Sequence, residues 1–212
     1  MKIGIIGSGI VGQQLGLGFI KLGYDVKLGT RDVSKLNEWK QNAGQKASAG
    51  SFEDAAKFGE ALILATSWMG TENAISLAGK DNFKGKILID VTNPLDFSLG
   101  TPPRLAASLG NSAGEQVQRW LPDTKVVKAF NIVNAYVMCN PKLEEGTPDM
   151  FIAGDDDAKK FAASVAEKWG WTSVIDIGDI SQAYWLETLT MLWVNYAFKH
   201  NQWSHAFKLL KK

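Results

Sequence analysis

Short apolar runs alternate along the chain with longer segments whose apolar residues recur at every third or fourth position. Lys2 to Ile6 predicts a strand, and Ile10 to Leu22 has the spacing of a helix. Asp25 to Leu28 and Val33 to Asn42 repeat this order as a second strand and helix. Later runs predict five more strands: Ala61–Ala65, Lys86–Val91, Lys125–Ala129, Asp149–Ala153 and Thr172–Ile175. Strands that alternate with helices are typical of a mostly parallel sheet covered on both faces, so we predict an α/β, doubly wound fold.

The segment from Asn93 to Gly114 interrupts this alternation. It contains three prolines and three glycines, and it lacks a clear apolar period. We therefore predict a long irregular loop. Long loops are uncommon in compact domains and are often functional, so this segment is a candidate for contact with a ligand.

From Asp179 onward the pattern is helical. Apolar residues at steps of three or four predict one apolar face, made of Trp185, Leu189, Leu192, Trp193 and Tyr196. Such a face packs on the sheet or on a second subunit, or it lines a substrate pocket. We predict that it is buried, partly across the two-fold interface of a homodimer. We therefore divide the chain into a main domain, residues 1–178, and a helical extension, residues 179–212.

The charge balance narrows the range of partners. Lysine and arginine number 23 against 22 acidic residues, a net charge of +1, which leaves no basic surplus for nucleic acid. The longest apolar stretches have the length of strands, far short of a membrane span. Met1-Lys2-Ile3 leads directly into the first strand, which leaves no room for a signal peptide. We expect a cytoplasmic protein with small-molecule partners, and no nucleic-acid or membrane partner.

Few residues suggest acid–base or metal chemistry. Cys139 is the single cysteine, which excludes an intrachain disulfide and a cysteine-based metal cage. His200 and His205 lie near the end of the sequence and are interpreted as surface or helix-terminal residues. The run Asp155-Asp156-Asp157 precedes a helical pattern, so capping explains it better than metal binding. We predict no metal site and no catalytic acid or base.

Glycines at a fixed spacing follow the first strand, in the sequence Gly7-Ser8-Gly9-Ile10-Val11-Gly12. The first glycine allows a tight turn, the second lets the backbone approach a diphosphate, and the third lets helix and strand pack closely. The start of the next helix supplies free N–H groups and a partial positive charge. We therefore interpret residues 7–12 as the phosphate loop of a Rossmann-type dinucleotide-binding domain.

The end of the second strand indicates which dinucleotide is bound. In NAD-binding members of this fold, an acidic residue about 20 positions after the loop holds the ribose hydroxyls. Here Thr30 and Arg31 occupy that place, and Lys35 follows one helical turn later. Two cations and a hydroxyl suit a 2′-phosphate, so we predict NADP(H). Asp32 is close enough to pair with Arg31, but we expect it to turn away or to cap the next helix.

Polar residues at the ends of later strands are candidates for the nicotinamide half of the cofactor. Ligands of open α/β sheets bind outside the carboxyl ends of the strands. The segments after three predicted strands supply uncharged polar groups, and amides there suit an amide or carbonyl partner. A turn or cap explains any one of these residues as well as ligand contact does. The candidates are Thr66, Ser67, Trp68, Asn93, Pro94 and Asn131, with Asn134 close to the last.

Taken in order, several stretches resemble the coenzyme F-420-dependent (F420-dependent) NADP oxidoreductase family. They are Gly7–Gly12, Gly29-Thr30-Arg31 with Lys35, Asp90-Val91-Thr92-Asn93-Pro94-Leu95, Val127-Lys128-Ala129-Phe130-Asn131 and Ala153-Gly154-Asp155-Asp156-Asp157. The C-terminal stretch that contains Glu187 matches as well, so the resemblance covers essentially the whole chain. The cytosolic domain of the six-transmembrane epithelial metalloreductases, which reduces a flavin with NADPH, is similar too.

The resemblance implies a Rossmann domain with a small helical C-terminal part, commonly a homodimer. It also implies direct hydride transfer between nicotinamide and a deazaflavin, stacked in the groove between the two parts. The matching positions are Thr30, Arg31 and Lys35 for the 2′-phosphate, and Thr66, Ser67, Asn93 and Pro94 beside the nicotinamide. The long stretch Asp96 to Val117, followed by Trp120, and the bulky Trp68 depart from the family pattern where the acceptor would approach.

We therefore expect an NADP(H)-dependent oxidoreductase that transfers a hydride between nicotinamide and a deazaflavin or a flavin (FMN or FAD). Such a transfer requires positioning of the two rings and exclusion of water rather than a general acid or base. Two alternatives stay open at this point: an NADPH-dependent reductase of a small carbonyl or imine compound, and a non-catalytic NADPH-sensing protein. The same fold hosts all three functions.

Overall fold

Strands and helices alternate along most of the chain. The structure is a computed structural model and describes residues 1–211. Its strands are β1 Lys2–Ile6, β2 Asp25–Gly29, β3 Ala47–Gly50, β4 Ala61–Leu64, β5 Ile87–Asp90, β6 Leu95–Asp96, β7 Arg104–Leu105, β8 Lys125–Lys128, β9 Met150–Gly154 and β10 Val174–Asp176. Its α-helices are α1 Ile10–Lys21, α2 Asn37–Ala43, α3 Phe52–Phe58, α4 Thr71–Ala78, α5 Ala113–Trp120, α6 Ala135–Met138, α7 Asp156–Trp169 and α8 Ala183–His200.

Eight of these strands form one sheet in the order β10-β9-β8-β5-β4-β1-β2-β3. Strands β1 to β5 and β8 are parallel, β9 runs antiparallel to β8, and β10 runs parallel to β9. After the edge strand β3 the chain returns to place β4 beside β1. A reversal of this kind opens a crevice at the carboxyl ends of the two strands. The topology confirms the predicted doubly wound, mostly parallel Rossmann-type sheet.

Successive residues of the central strands contribute to cores on opposite faces of the sheet. Ile3 and Ile5 pack in one cluster with residues of α1 and α7, whereas Ile6 packs in a second cluster with residues of α3, α4 and α5. Val126 and Val127 of β8 divide in the same way between the two clusters. This period of two explains why the strands are apolar throughout, since both faces are covered.

Two features of the first half differ from the prediction. The edge strand β3 was missed because it consists of alanine, serine and glycine, which do not favour strands. The predicted helix Val33–Asn42 is divided into a 3₁₀ turn, Val33–Leu36, and the helix α2. Asp32 caps the 3₁₀ turn by accepting the N–H of Ser34, which confirms the expected capping role.

The segment from Asn93 to Gly114 was predicted to be an irregular loop. It contains the short strands β6 and β7, which pair antiparallel, and the residues between these two strands are irregular. The prediction is wrong at its end, because Gly114 lies inside α5. Ser112 caps that helix, with its Oγ accepting the N–H of Glu115. Gly114 serves close packing there, since an added Cβ would lie 2.7 Å from the Cβ of Ala183.

The predicted apolar face of α8 is covered only in part within this chain. Trp193 and Leu189 pack in a core cluster, and Trp193 is only 7% exposed. Trp185, Leu192 and Tyr196 instead expose 52%, 59% and 47% of their surface. The five residues span about 100° around the helix with Leu192 and Trp193 at the two edges, so the core covers one side of the predicted face and leaves the other side exposed.

The region after Gly178 reaches the sheet through a 3₁₀ turn, Ile180–Gln182, and through α8, which lies against β9 and β7. The division of the chain at residue 178 stays a prediction. Among residues 1–211, no helix combines the length and the apolar character that crossing a membrane requires.

Candidate functional site

The phosphate loop, residues 7–12, joins β1 to α1 at the carboxyl end of β1. Gly7 has a φ of 131°, and an added Cβ would lie 2.3 Å from the carbonyl oxygen of Ala65. At Gly12 an added Cβ would lie 2.2 Å from the carbonyl oxygen of Gly7. Both positions therefore require glycine. Gly9 differs, because its φ is −71° and an added Cβ would meet no protein atom within 4 Å.

The first turn of α1 has unused hydrogen-bond donors. Gly9 occupies the capping position, and no side chain in the described part of the chain caps this helix. Gly9 and Ile10 are exposed, the latter at 63%. The first N–H groups of a helix have no acceptor within the helix and carry a partial positive charge. Together with the open space beside Gly9, they form a site suited to a diphosphate.

Thr30 ties the phosphate loop to the end of β2. The Ser8 hydroxyl donates to Thr30 Oγ1 at 3.0 Å, and the N–H of Asp32 donates to the same oxygen at 3.2 Å. The Thr30 hydroxyl lies 3.3 Å from the Asp32 carbonyl, and Thr30 is only 6% exposed. Its contacts therefore fix the relative position of the loop and the following turn.

Arg31 and Lys35 are exposed, and neither forms an ion pair within residues 1–211. Asp32 does not form an ion pair with Arg31. Its carboxylate instead accepts the Ser34 hydroxyl at 2.6 Å and the Ser34 N–H at 3.1 Å. These hydrogen bonds hold the pKa of Asp32 below its ordinary value. Two cations are thus available for an anion beside the turn after β2.

The residues after β4 lie next to the phosphate loop. Thr66 Oγ1 is 2.8 Å from Thr71 Oγ1, and Ser67 is exposed. The Trp68 ring stacks on the Trp120 ring, with centroids 5.6 Å apart and an angle of 19° between the planes. Trp68 therefore packs against α5, and only part of its surface faces solvent.

Asn93 and Asn131, here called the amide pair, connect the segments after β5 and β8. Asn93 Nδ2 donates to the Asn131 carbonyl at 2.8 Å, and Asn131 Nδ2 donates to Asn93 Oδ1 at 3.0 Å. Asn131 Nδ2 also lies 3.2 Å from the carbonyl oxygen of Leu186 in α8. Because a carbonyl only accepts, this contact fixes the amide orientation. Asn131 Oδ1 is buried and has no partner among the described residues.

Phe130, just before Asn131, has an unusual backbone. Its φ of 61° lies in the left-handed region, which bulky residues rarely adopt. The ring is 1% exposed and packs edge-on against Trp169, with centroids 5.2 Å apart. Strain of this kind is often found at functional positions. Here it sets the direction in which the chain enters Asn131.

Three charged residues that sequence analysis did not assign to a site meet next to the amide pair. Lys128 Nζ lies 2.7 Å from Asp90 Oδ2 and 3.1 Å from Glu187 Oε1, and all three side chains are fully buried. We call them the buried triad. The available signal was Lys128 itself, since a lysine inside a buried apolar strand requires a charged partner.

Packing and capping explain the other titratable candidates. Burial raises the pKa of the Cys139 thiol to about 12, so it is no nucleophile. The His205 ring stacks on Trp193 with centroids 4.5 Å apart, and the His205 carbonyl accepts the Trp193 indole N–H at 2.8 Å. Asp155 accepts the N–H groups of Asp157 and Ala158 at the start of α7. This confirms the capping interpretation of the acidic run.

The sequence and the fold are similar to those of known proteins. Residues 2–94 match the family model described as NADP oxidoreductase, coenzyme F420-dependent. The F420-dependent NADP reductase of Methanothermobacter marburgensis is 32% identical, over 94% of this chain and 94% of the relative. A crystal structure from Arthrobacter sp. FB24, provisionally assigned as an F420-dependent NADP-reductase, is 34% identical, with a TM-score of 0.94 over 100% of both chains.

A longer relative is also similar. Metalloreductase STEAP3 of Rattus norvegicus is 29% identical over 90% of this chain, which corresponds to 36% of that protein. The likeness to this relative therefore concerns about a third of its length, whereas the likeness to the archaeal reductase extends over nearly all of both chains.

Proposed function

Because the chain belongs to the family of coenzyme F420-dependent NADP oxidoreductases and is an NADP-dependent oxidoreductase, we propose that it transfers a hydride between NADP(H) and a deazaflavin of the coenzyme F420 type. One observation carries the proposal. The crevice offers free N–H groups and cations at one end, and the uncharged amide pair at the other. A dinucleotide has the same division between its charged phosphates and its nicotinamide.

The phosphate end fits the charged half of NADP(H). The diphosphate would be held by the N–H groups at the start of α1, beside the open space at Gly9. Arg31 and Lys35 would hold the 2′-phosphate, since both are exposed and without ion pairs in the described range. Arginine suits this role because its planar guanidinium can donate two parallel hydrogen bonds to one phosphate. The hydrogen bond between Ser8 and Thr30 holds the loop at a fixed position relative to the segment that carries the cations.

The opposite end fits the nicotinamide. Asn131 Oδ1 is a buried acceptor without a partner in the described chain, and a carboxamide N–H would satisfy it. Asn93 is partly exposed beside it, and Pro94 is buried next to Asn93. Thr66 and Ser67 approach from β4, and Trp68 closes that side by its stack on Trp120. We propose these residues as the walls of the nicotinamide site.

When bound, the reduced nicotinamide supplies a hydride that the second ring takes up. The residues around it bind and orient the rings, because the amide pair carries no charge and the nearby charges are sealed inside the buried triad. The buried Cys139 thiol has a raised pKa and stays protonated, and the His205 ring is stacked on Trp193. The proposed chemistry therefore depends on the distance between the two rings, on their orientation and on the exclusion of water from the site.

Steady-state assays with several acceptors test the proposal. NADPH should reduce the deazaflavin, and the loss of the deazaflavin's visible absorbance measures the rate. The same reaction with NADH should be much slower. FMN, FAD and a ferric complex serve as further acceptors in parallel assays. Turnover of a small ketone or imine without turnover of any of these rings would show that the proposal is wrong. NADPH binding without turnover of any acceptor would favour a sensing role.

The exposed face of α8 supports a second proposal, a homodimer. Trp185, Leu192 and Tyr196 form an exposed apolar stripe on α8, and contiguous apolar surface often marks an interface. A second copy offers the same stripe, so a two-fold axis would let each cover the other. Light scattering at micromolar concentration should give a dimer, and Leu192→Glu should give a folded monomer. A monomeric wild type would contradict this proposal.

The remaining expectations about partners and compartment are part of the same proposal. A net charge of +1 supports small-molecule partners over nucleic acid. A cytoplasmic location agrees with this chemistry, since soluble NADP(H) is the proposed donor. Fractionation of cells followed by detection of the protein tests the location directly.

A further inference from the structure

The buried triad joins three elements that are far apart in sequence. Asp90 ends β5, Lys128 ends β8, and Glu187 lies in the first half of α8. The lysine ammonium contacts one carboxylate at 2.7 Å and the other at 3.1 Å, and no side chain of the three is exposed. The contacts therefore link two strand ends to the helix that covers them.

The start of α5 balances the charge of this cluster. Two carboxylates and one ammonium leave a formal charge of −1 in the interior. The Glu187 carboxylate accepts the N–H groups of Ala113 and Gly114 at 2.9 and 3.0 Å, at the positive end of α5. Burial lowers the pKa of Lys128, but the carboxylates of Asp90 and Glu187 outweigh it and leave that pKa above its ordinary value. Lys128 is therefore protonated at neutral pH.

The triad also fixes the residue that precedes the amide pair. Asp90 Oδ1 accepts both the N–H and the hydroxyl of Thr92, at 2.8 and 2.7 Å. Lys128 Nζ donates to the Thr92 carbonyl at 2.8 Å. Every polar group of Thr92 is thus bonded to the triad, and the chain enters Asn93 in a fixed direction.

On the other side the triad holds α8 against the same pair. Glu187 directly follows Leu186, whose carbonyl accepts from Asn131 Nδ2 at 3.2 Å. Thr190, about one turn later, accepts from Asn131 Nδ2 at 3.1 Å. Lys128 is therefore bonded to both walls that meet at the amide pair, the segment after β5 and the helix α8.

We propose that Lys128 is a positioning residue for hydride transfer, which acts through Thr92 and Glu187 to set the spacing between the segment 92–94 and α8. The inference rests on the proposed function. Buried ion pairs contribute little net stability compared with apolar side chains of similar size, so stability alone does not account for the triad. A fixed spacing matters for transfer between two rings, because small displacements of the reacting atoms slow a reaction strongly.

The variant Lys128→Met tests the proposal, with Lys159→Met as its matched control. Lys159 is also mostly buried and paired, with Asp176 at 2.8 Å. It lies in α7, whose start contacts Lys125 at the beginning of β8, whereas Lys128 ends that strand. In Lys128→Met, kcat and the single-turnover rate should fall about 10- to 100-fold, while the KM for NADPH changes less than about threefold. Lys159→Met should keep the wild-type kcat.

Binding of 2′,5′-ADP, a fragment that reaches only the phosphate end, separates positioning from loss of structure. Its Kd should be the same in the wild type and in Lys128→Met. A wild-type kcat in Lys128→Met, or equal losses of 2′,5′-ADP binding and turnover, would overturn the proposal. If that variant does not fold, Glu187→Gln decides, with the same expected split between kcat and fragment binding. Failure of both variants to fold would assign the triad to stability alone.

The same assays distinguish failure of this inference from failure of the proposed function. A wild type that binds 2′,5′-ADP but does not turn over the deazaflavin contradicts the function. A wild type that turns it over, together with a Lys128→Met variant of equal rate, contradicts only the positioning role.

Discussion

The two ends of the proposed cofactor site are built in different ways, and we name them the phosphate end and the nicotinamide end after the groups proposed to bind there. At the phosphate end, the loop 7–12 and the cations Arg31 and Lys35 lie within the first 35 residues, and the groups offered to a ligand are exposed. At the nicotinamide end, the amide pair and the buried triad come from residues 90 to 187 and are mostly buried. One end uses backbone N–H groups and mobile charges, and the other uses a fixed set of hydrogen bonds.

This difference suggests a division of tasks. Exposed cations attract and hold an anion without being held themselves, which suits affinity. Buried, mutually bonded groups lose little freedom when a ligand arrives, which suits orientation. We therefore expect changes at the phosphate end to alter cofactor binding, and changes at the nicotinamide end to alter turnover.

The glycines of the phosphate loop should give the largest effect. Gly12→Ala places a Cβ 2.2 Å from the Gly7 carbonyl oxygen, so it should cost about 3 kcal/mol of unfolding free energy. At about 2–4 °C per kcal/mol, the melting temperature should fall by roughly 6–12 °C. Thermal unfolding measures this directly.

Gly9→Ala is the matched control at the same loop. Its added Cβ meets no protein atom within 4 Å, so the melting temperature should remain that of the wild type. The methyl group would occupy the space proposed for the diphosphate, so NADPH affinity should fall. Undiminished affinity in this variant would place the diphosphate elsewhere.

Arg31→Ala should give the next largest effect. A hydrogen bond to a charged group contributes roughly 1.5–3 kcal/mol, and about 1.4 kcal/mol corresponds to a tenfold change. NADPH affinity should therefore fall about 10- to 100-fold, while NADH affinity hardly changes. Titration of both cofactors by quenching of tryptophan emission measures the difference. Equal losses for the two cofactors would mean that Arg31 does not read the 2′-phosphate.

Gly114→Ala tests the nicotinamide end through its packing. The added Cβ would lie 2.7 Å from the Cβ of Ala183 and 3.4 Å from Cε of Lys128, so α5 and α8 must separate. We expect a loss of about 2 kcal/mol, a lower kcat, and unchanged binding of 2′,5′-ADP. Weakened binding of that fragment with an unchanged kcat would reverse the proposed division between the two ends.

Lys35→Ala should have the smallest effect, a loss of a few-fold in NADPH affinity, because a lysine offers a mobile point charge. Added salt should reduce the preference for NADPH in the wild type, since exposed charges are screened over about 10 Å at 0.1 M. Affinities measured at two salt concentrations test both statements. A preference that does not respond to salt would argue against exposed cations as its source.

The glycine loop and the exposed cations that we propose as the phosphate end could be located from the sequence because their signals are local. The glycine spacing follows directly from β1, and the cations follow directly from β2, so neither needs knowledge of distant contacts. The alternation of strands and helices was predictable for the same reason, since most apolar runs are followed by a helix.

The nicotinamide end could be predicted only in part. Asn93 and Asn131 were candidates because each follows a strand, but the hydrogen bonds between them join positions 38 residues apart and could not be predicted. The triad depends on Glu187, and its partners are fixed only once α8 has packed on β8 and α5. The sequence did not reveal how much of the apolar face of α8 the core covers, since a helix with apolar residues on most sides does not show which side packs inward.

The late position of Glu187 also has a consequence for the newborn chain. A ribosome adds about 5–20 residues per second, so the 59 residues from Lys128 to Glu187 (187 − 128) take about 3–12 seconds to make. During that interval the strands that carry the phosphate loop and both cations have already been synthesised. A nascent chain at this stage has the groups that we propose to hold a nucleotide, and the wall proposed to position the two rings is complete only when α8 has been made.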